Sequence, residues 1–289
     1  MKPSAFAYYA PESVDEVSRL LAELGDEAKV LAGGQSLVPL LNMRLTRFEA
    51  LIDVRRVEPL RRVERANGEL VVGAMVRQCD VEESAEIRDA VPLLALATPY
   101  IGHFQIRSRG TVGGSIAHAD PAAEYPAVAL ALDAQLEVTG PAGSRSIAAT
   151  DFFTGTWTTA LEPDEVLVAT RFPVWDAGSA FAVDEVARRH GDFAIAGAMV
   201  GVHVGNGAVD RAAIALFGVG STPVRATEAE AALIGTRAAD VDPVEIARLT
   251  TADLDPPADL HASGALRRRV GAGAVRRALG RALEEARVG

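Results

Sequence analysis

With 289 residues, 49% of them apolar and 24% charged, the chain has room for two domains and the balance of a folded globular protein rather than a disordered one. No run approaches the roughly 20 consecutive apolar residues of a membrane-spanning helix, and the opening MKPSAFAYYAPESVDE lacks the apolar centre of a secretion signal, so the sequence predicts a cytoplasmic protein. A net charge of −10 without a basic patch argues against nucleic acid as partner, and a single cysteine, Cys79, excludes a disulfide network or a four-cysteine zinc or iron–sulfur site made by this chain alone.

The first predicted element is a helix. Ser13 and Glu16 have the spacing of a capping box, Val14, Val17, Leu20, Leu21 and Leu24 repeat at helical spacing, and Gly25 offers a stop. The apolar run Ala28 to Ala32 reads as a buried strand leading into GGQS, LVPLLNMRL reads as a helix, and Ala50 to Val54 as a second strand, which together open an α/β layer. Beyond Val57 the texture turns to strands, with a hairpin at Asn67–Gly68. Helical segments follow around Val81 to Asp89 and Pro92 to Ala97, with Cys79 at a strand-to-helix junction as a buried, unreactive small side chain. After a second glycine-rich segment, Gly110 to Ala127, AQLEVTG and EVLVATRFP read as strands. A domain boundary is expected within VWDAGS (174–179). The remainder reads as strands (AGAMVGVHVG, DRAAIALFGVG) followed by helices (TEAEAALIG, PVEIARLTTA and Ala265 to Val288).

Local chemistry concentrates in LAGGQSL (31–37) and TVGGSI (111–116), each read as a strand end, a Gly–Gly pair and then a small hydroxyl or amide residue. Gly–Gly permits a tight turn and a close approach, and successive inward N–H groups suit an anion. Two such nests suit the two phosphates of one dinucleotide. Neither is the lysine-bearing nucleoside-triphosphate loop, neither is GxGxxG, and GQSLV has Val38 where a nucleophile elbow needs glycine. GAGAVR (271–276) follows no strand and lacks the third glycine. From the residues alone the chain is an α/β protein with a candidate nucleotide site.

In context the loops are more specific. AGGQSLVPLLNMRL and IRSRGTVGGSIAHADPAAEYPA resemble the two FAD-binding segments of the medium subunits of molybdopterin dehydrogenases, the carbon monoxide dehydrogenase and xanthine dehydrogenase family. DFFTGTWTTALEPDEVLVATRFP, ARRHGDFAIAGAMV and GVGSTPVRATEAEAAL are similar to later segments of the same family, in order, over nearly the whole chain. The resemblance implies an α+β fold: a two-subdomain FAD-binding fold of the vanillyl-alcohol-oxidase type over 1–175 (subdomains about 1–56 and 57–175), then an α+β C-terminal domain over 176–289 with a small antiparallel sheet and helices. It implies non-covalent FAD, with no catalytic residue and no metal in this chain. Ala32, Gly33, Gly34, Gln35, Ser36 and flanking Leu37 correspond to the family's first phosphate loop, and Thr111, Val112, Gly113, Gly114 and Ser115 to the second. Glu124 corresponds to an acidic residue that accepts hydrogen bonds from cofactor hydroxyls, Ile101 and Leu167 to apolar contacts, and Asp192 and Phe193 to a segment bordering the flavin ring.

The family reading makes the chain an electron-transfer subunit. Electrons would arrive from the [2Fe–2S] clusters of a small subunit, fed by a large molybdopterin subunit, and leave to an external acceptor, in a heterotrimer or its dimer. Asp184 and Glu185 stand where relatives often carry a lysine, and Phe193 replaces a tyrosine found in some members. The plainer readings are a packing or backbone-bonded role for His118, no metal at His103 or His190, a turn at Asp120–Pro121, and packing roles for Trp157 and Trp175. The rival functions are a self-sufficient flavin reductase or oxidase of the same fold and a non-catalytic nucleotide-binding module.

Overall fold

The computed structural model describes residues 2–288. The chain opens with β1 (Ala7–Tyr9), α1 (Val14–Leu24), β2 (Ala28–Leu31), α2 (Leu37–Met43) and β3 (Ala50–Asp53), and its three strands form a parallel sheet in the order β1-β3-β2. Ser13 Oγ accepts from the Glu16 amide at 3.2 Å, as the capping box predicts, while Glu16 Oε2 accepts from the Glu12 amide, one residue earlier than the ideal motif. Val17, Leu20 and Leu21 of α1 are buried against Ile52 and Val54, each fully buried side chain contributing roughly 1.5–3 kcal/mol before entropy is counted. The first glycine loop leaves the carboxyl end of β2, the end at which parallel sheets present ligand sites.

Next come β4 (Val63–Ala66), β5 (Glu69–Gly73), α3 (Gln78–Glu83), α4 (Ala85–Ala90), α5 (Pro92–Ala97), α6 (Phe104–Arg107), α7 (Val112–His118), α8 (Glu124–Ala131), β6 (Gln135–Gly140), β7 (Gly143–Ala148), α9 (Ala149–Phe152), β8 (Phe153–Gly155), β9 (Thr158–Thr159) and β10 (Val166–Pro173). Strands β4-β5-β10-β6-β7 form an antiparallel sheet in that order. Asn67 and Gly68 both have positive φ, 54° and 79°, which gives the β4–β5 hairpin the primed turn its Asn-Gly pair favours.

The second glycine pair departs from the sequence reading. It follows no strand: the short helix α6 precedes it, and an isolated bridge between Arg77 and Thr111, with backbone hydrogen bonds to Ala74 and Val76, ties it to the segment after β5. Gly113 and Gly114 lie inside the first turn of α7. Helix α8 also escaped the sequence reading, because all of its residues are buried and it carries no amphipathic stripe.

The last third contains β11 (Ser179–Ala187), β12 (Ala194–Gly205), β13 (Ala208–Phe217), β14 (Val224–Arg225), α10 (Thr227–Leu233), α11 (Pro243–Thr251) and α12 (Gly264–Val288). The four strands form an antiparallel sheet in chain order. One face, with Ala180, Ala182, Val200 and Ile214, packs against Ala274, Ala278 and Ala282 of α12. The other, with Phe181, Val183, Met199 and Phe217, shares a core with Leu93, Leu94, Tyr125 and Val128 of α5 and α8. Burial on both faces explains why AGAMVGVHVG shows no polar alternation.

Candidate functional site

The two glycine loops, far apart in sequence, abut. A Cβ on Gly33 would lie 2.2 Å from the Arg109 carbonyl oxygen and 2.9 Å from Gly110 Cα, and one on Gly114 would lie 3.4 Å from Ala32 Cβ. The contact therefore requires glycine at position 33. Gly34 has φ +73°, in the region that favours glycine. Among the described residues, the amides of Gly33, Gly34, Gln35 and Ser36 have no protein acceptor, while the Gln35 side-chain amide donates to the Gly33 carbonyl at 2.9 Å and braces the turn. Ala32 to Leu37 are all half-buried, so the loop forms a wall rather than a protruding tip. Free successive amides in a half-buried turn are what an anion nest requires.

The second loop is built differently. The Gly113 amide donates to the Ala74 carbonyl at 3.0 Å, the Gly114 amide to Thr111 Oγ1 at 3.0 Å, and the Ser115 amide to the Thr111 carbonyl at 3.1 Å. Its N–H groups are thus largely engaged in packing and helix capping, with Thr111 as the N-cap of α7. Val112 is fully buried, and its amide donates to Val76. What this loop offers is absence of bulk: Gly113 lies against Ala74, where a Cβ would come within 2.4 Å, and Gly114 and Ser115 remain half-exposed beside Ala32. One loop presents donors and the other presents room.

The remaining predicted site residues are distributed around these loops. Glu124, 9% exposed, opens α8 ten residues past the second glycine pair. Burial pushes its carboxyl up to about 7, its own backbone amide opposing and Asp120 adding to the rise. Ile101 and Leu167 are buried in the main core, Leu167 at a bulge of β10. Asp192 and Phe193 are exposed, in a turn whose His190 meets His103, two residues past Ile101. His103 and His190 meet edge to face with centroids 5.7 Å apart, and a Cβ on Gly191 would strike the His103 ring.

His118 is half-buried and parallel to the Trp157 ring, with centroids 6.4 Å apart, and burial lowers its pKa. Trp157, read as a packing residue, is instead 64% exposed, and its Nε1 donates to Asp120 Oδ2 at 3.1 Å. Trp175 does pack, against Phe181 and beneath Arg211. Asp120 makes the expected turn, Oδ1 accepting from the Ala122 amide. Cys79 lies in the first turn of α3, half-buried, and burial raises its thiol pKa.

Two residues that sequence reasoning passed over hold the second loop in place. Arg107, 11% exposed at its side chain, pairs with Glu82 at 2.9 Å and donates to the Ile101 and Gly102 carbonyls. Gln78 is buried, its backbone N–H donates to the Gly110 carbonyl at 2.9 Å, and its side chain occupies the space a Cβ on Gly110 would need. An arginine beside a glycine loop was the available signal for the first; nothing marked the second.

Known proteins match this arrangement. Residues 4–175 match the FAD binding domain in molybdopterin dehydrogenase, and residues 181–282 the CO dehydrogenase flavoprotein C-terminal domain. The chain is 41% identical to the 6-hydroxypseudooxynicotine dehydrogenase complex subunit alpha of Paenarthrobacter nicotinovorans, over 99% of this chain and 97% of that one. It is 38% identical to the caffeine dehydrogenase subunit beta of Pseudomonas sp. strain CBB1, over 98% and 97%. Among solved structures, carbon monoxide dehydrogenase from Hydrogenophaga pseudoflava, in a form lacking the Mo-pyranopterin moiety of its cofactor, superposes with a TM-score of 0.96 at 38% identity, covering 99% of both chains.

Proposed function

The chain belongs to the FAD-binding medium subunits of the molybdenum hydroxylases, and we propose that it is the electron-carrying link of such a complex, between the [2Fe–2S] clusters of a small subunit and an external acceptor. The large molybdopterin subunit would carry out substrate hydroxylation, in a heterotrimer or its dimer, in the cytoplasm. Bound FAD supplies the capacity to take electrons singly and release them in pairs. Residues 1–175 would hold it, and 176–289 would form the second domain.

The observation that carries this reading is the seating of Gly33 on the Arg109–Gly110 backbone, which brings a donor-bearing loop and a bulk-free loop to one place. The free amides of Gly33 to Ser36 suit phosphate oxygens, and Leu37 flanks them. Gly113, Gly114 and Ser115 admit the same group closely, with Thr111 and Val112 contributing main chain. Glu124 accepts from hydroxyls, Ile101 and Leu167 supply apolar wall, and Asp192 borders the ring. The chain's one cysteine cannot ligate a cluster, so the clusters belong to a partner. The substrates named for the relatives differ, including 6-hydroxypseudooxynicotine and caffeine, while their medium subunits stay similar. That supports placing substrate choice outside this chain.

The test is an absorption spectrum of the purified full chain, before and after acid precipitation, with the released cofactor identified by chromatography, followed by affinity capture from its native host. Stoichiometric FAD with co-purifying molybdenum and iron–sulfur subunits supports the reading. FAD without partners points to a self-sufficient flavoenzyme. Failure to bind added FAD would remove the electron-carrier role and leave a nucleotide-binding module or an inherited fold.

A further inference from the structure

Trp157 stands where the local turn chemistry calls for a different residue. The β8–β9 hairpin pairs Phe153 with Thr159 and Gly155 with Thr158, so its connection is Thr156–Trp157. Trp157 adopts φ +55°, the left-handed conformation that tight hairpin turns assign to glycine, asparagine or aspartate. A bulky side chain in that region is strained, and it persists only where its surroundings hold it there.

The surroundings do hold it. Its backbone N–H donates to the Ala119 carbonyl at 3.1 Å, and its Nε1 donates to Asp120 Oδ2 at 3.1 Å. Its ring lies parallel to that of His118, with 16° between the planes. These three partners are consecutive, where α7 runs into the turn before α8. Yet the ring is 64% exposed and joins none of the hydrophobic cores among the described residues. A tryptophan pinned in a strained backbone with most of its ring still wet is oriented for something other than packing.

Its place in the fold indicates what the ring meets. His118 lies one helical turn beyond Gly114 on the same face of α7. Gly114 in turn borders the first glycine loop, where its Cβ would stand 3.4 Å from that of Ala32. Thr156 Oγ1 reaches the Ser221 carbonyl at 3.5 Å, and the Gly218 amide donates to the Pro121 carbonyl at 2.7 Å. The hairpin tip is thereby clamped between the turn that leads to Glu124 and the segment after β13. We propose that Trp157 is a stacking platform for an electron-poor planar ring at the edge of the two-loop site, either the flavin of the cofactor or a quinone acceptor brought up to it. This rests on the reading that the glycine loops hold FAD. Indole is the most electron-rich of the side-chain rings, and stacking tolerates variation in the ring it receives. Asp120, accepting from Nε1, places negative charge at the indole edge and adds to that richness. His118 beside it is kept neutral near pH 7 by burial, so no cation competes for the indole face.

The experiment reads ring contact on the full chain, which has two tryptophans, Trp157 and the buried Trp175. In the first arm the chain is loaded with FAD, and the fluorescence lifetime of the bound flavin is compared between wild type and Trp157→Phe, with circular dichroism confirming the fold. Indole in contact quenches flavin emission by electron transfer and phenyl does not. Stacking on the cofactor therefore predicts a short-lived flavin component that is lost in Trp157→Phe while affinity is largely kept. Trp157→Ala, which removes the ring, should weaken FAD about tenfold. In the second arm the soluble naphthoquinone menadione is titrated against the chain with and without FAD. Stacking on the acceptor predicts saturable quenching of Trp157 emission, beyond that of free N-acetyltryptophanamide, which Trp157→Phe abolishes. Either signature supports the platform and assigns its ring. An unchanged flavin lifetime together with quenching no greater than that of the free indole overturns it, and leaves Trp157 as a tie between the hairpin and α7. A chain that binds no FAD overturns the proposed function instead, and menadione alone then decides the platform.

Discussion

Gly33 rests on the carbonyl of Arg109 so closely that a methyl group in its place would stand 2.2 Å from that oxygen, inside the contact distance of any real Cβ. The atom on the other side is backbone and cannot rotate away. The approach of the two loops therefore depends on a missing side chain.

A substitution here should act by pushing the loops apart before any charge is considered. Gly33→Ala is expected to lower flavin retention about tenfold or more, and Gly33→Asp to abolish it by adding a carboxylate among amides that suit phosphate. Gly114→Asp should do the same, since its Cβ would already lie 2.7 Å from Thr111 Oγ1. The flavin-to-protein absorbance ratio of each purified variant measures this, with circular dichroism to confirm folding. A folded Gly33→Asp chain as yellow as wild type would sink the loop assignment.

Arg107 ties the segment before the second loop to α3 through Glu82 and caps the Ile101 and Gly102 carbonyls. Removing it strands a half-buried carboxylate and two carbonyls, so Arg107→Ala should destabilise the chain by about 2–4 kcal/mol. Arg107→Lys should lie between, because an ammonium cannot reproduce the fork. Urea unfolding midpoints at constant slope decide it. A midpoint within error of wild type for Arg107→Ala would mean the network contributes nothing measurable.

How much of this was legible beforehand depends on the element. The α1 cap, the Asn67–Gly68 turn and the first glycine loop were readable because each is written in adjacent residues with fixed conformational demands. The second loop was found but misbuilt: TVGGSI resembles AGGQSL as letters, yet Thr111 caps a helix and takes the Gly114 amide for itself. Helix α8 lacks a stripe because it is buried all round, and β11 was hidden by the placement of a boundary across its start. Contacts between elements about sixty residues apart leave no periodic trace.

His203 and Asp210 close the β12–β13 hairpin with Nδ1 and Oδ1 2.5 Å apart, and Nε2 lies 3.1 Å from the Ala177 carbonyl. The Asp210 hydrogen bond is the main reason the histidine pKa stands above its usual value. A raised folded-state pKa means the folded form binds the proton more tightly. The contribution is therefore complete below the unfolded value of about 6.5 and fades as pH rises through the folded one. Asp210→Asn should lower the melting temperature by a few degrees at most in mildly acidic buffer and by progressively less in alkaline buffer. A gap that widens with pH would refute the assignment.

Arg267 is a buried cation of the C-terminal half, and its hydrogen bonds join the start of β12 to the end of β13 and to Asp259. Nη1 donates to the Ile195 carbonyl at 2.6 Å and to the Gly218 carbonyl at 3.0 Å, and Nη2 to Asp259 Oδ2 at 2.6 Å. The Gly218 amide in turn donates to the Pro121 carbonyl, in the turn that leads to Glu124. Arg267→Ala would leave two carbonyls unpaired beside a cavity the size of the side chain, a loss of about 3–5 kcal/mol. Asp259 reports on the same contact: chiefly through Arg267, its pKa falls to about 2. That depressed value makes its contribution present above the unfolded carboxylate range and lost as pH drops towards 2. Acid unfolding of wild type and Arg267→Gln should therefore differ in one direction, the wild-type advantage shrinking as pH falls below about 4. An advantage that holds constant down to the lowest pH would show that Asp259 gains nothing from Arg267, and that the arginine acts through the two carbonyls alone.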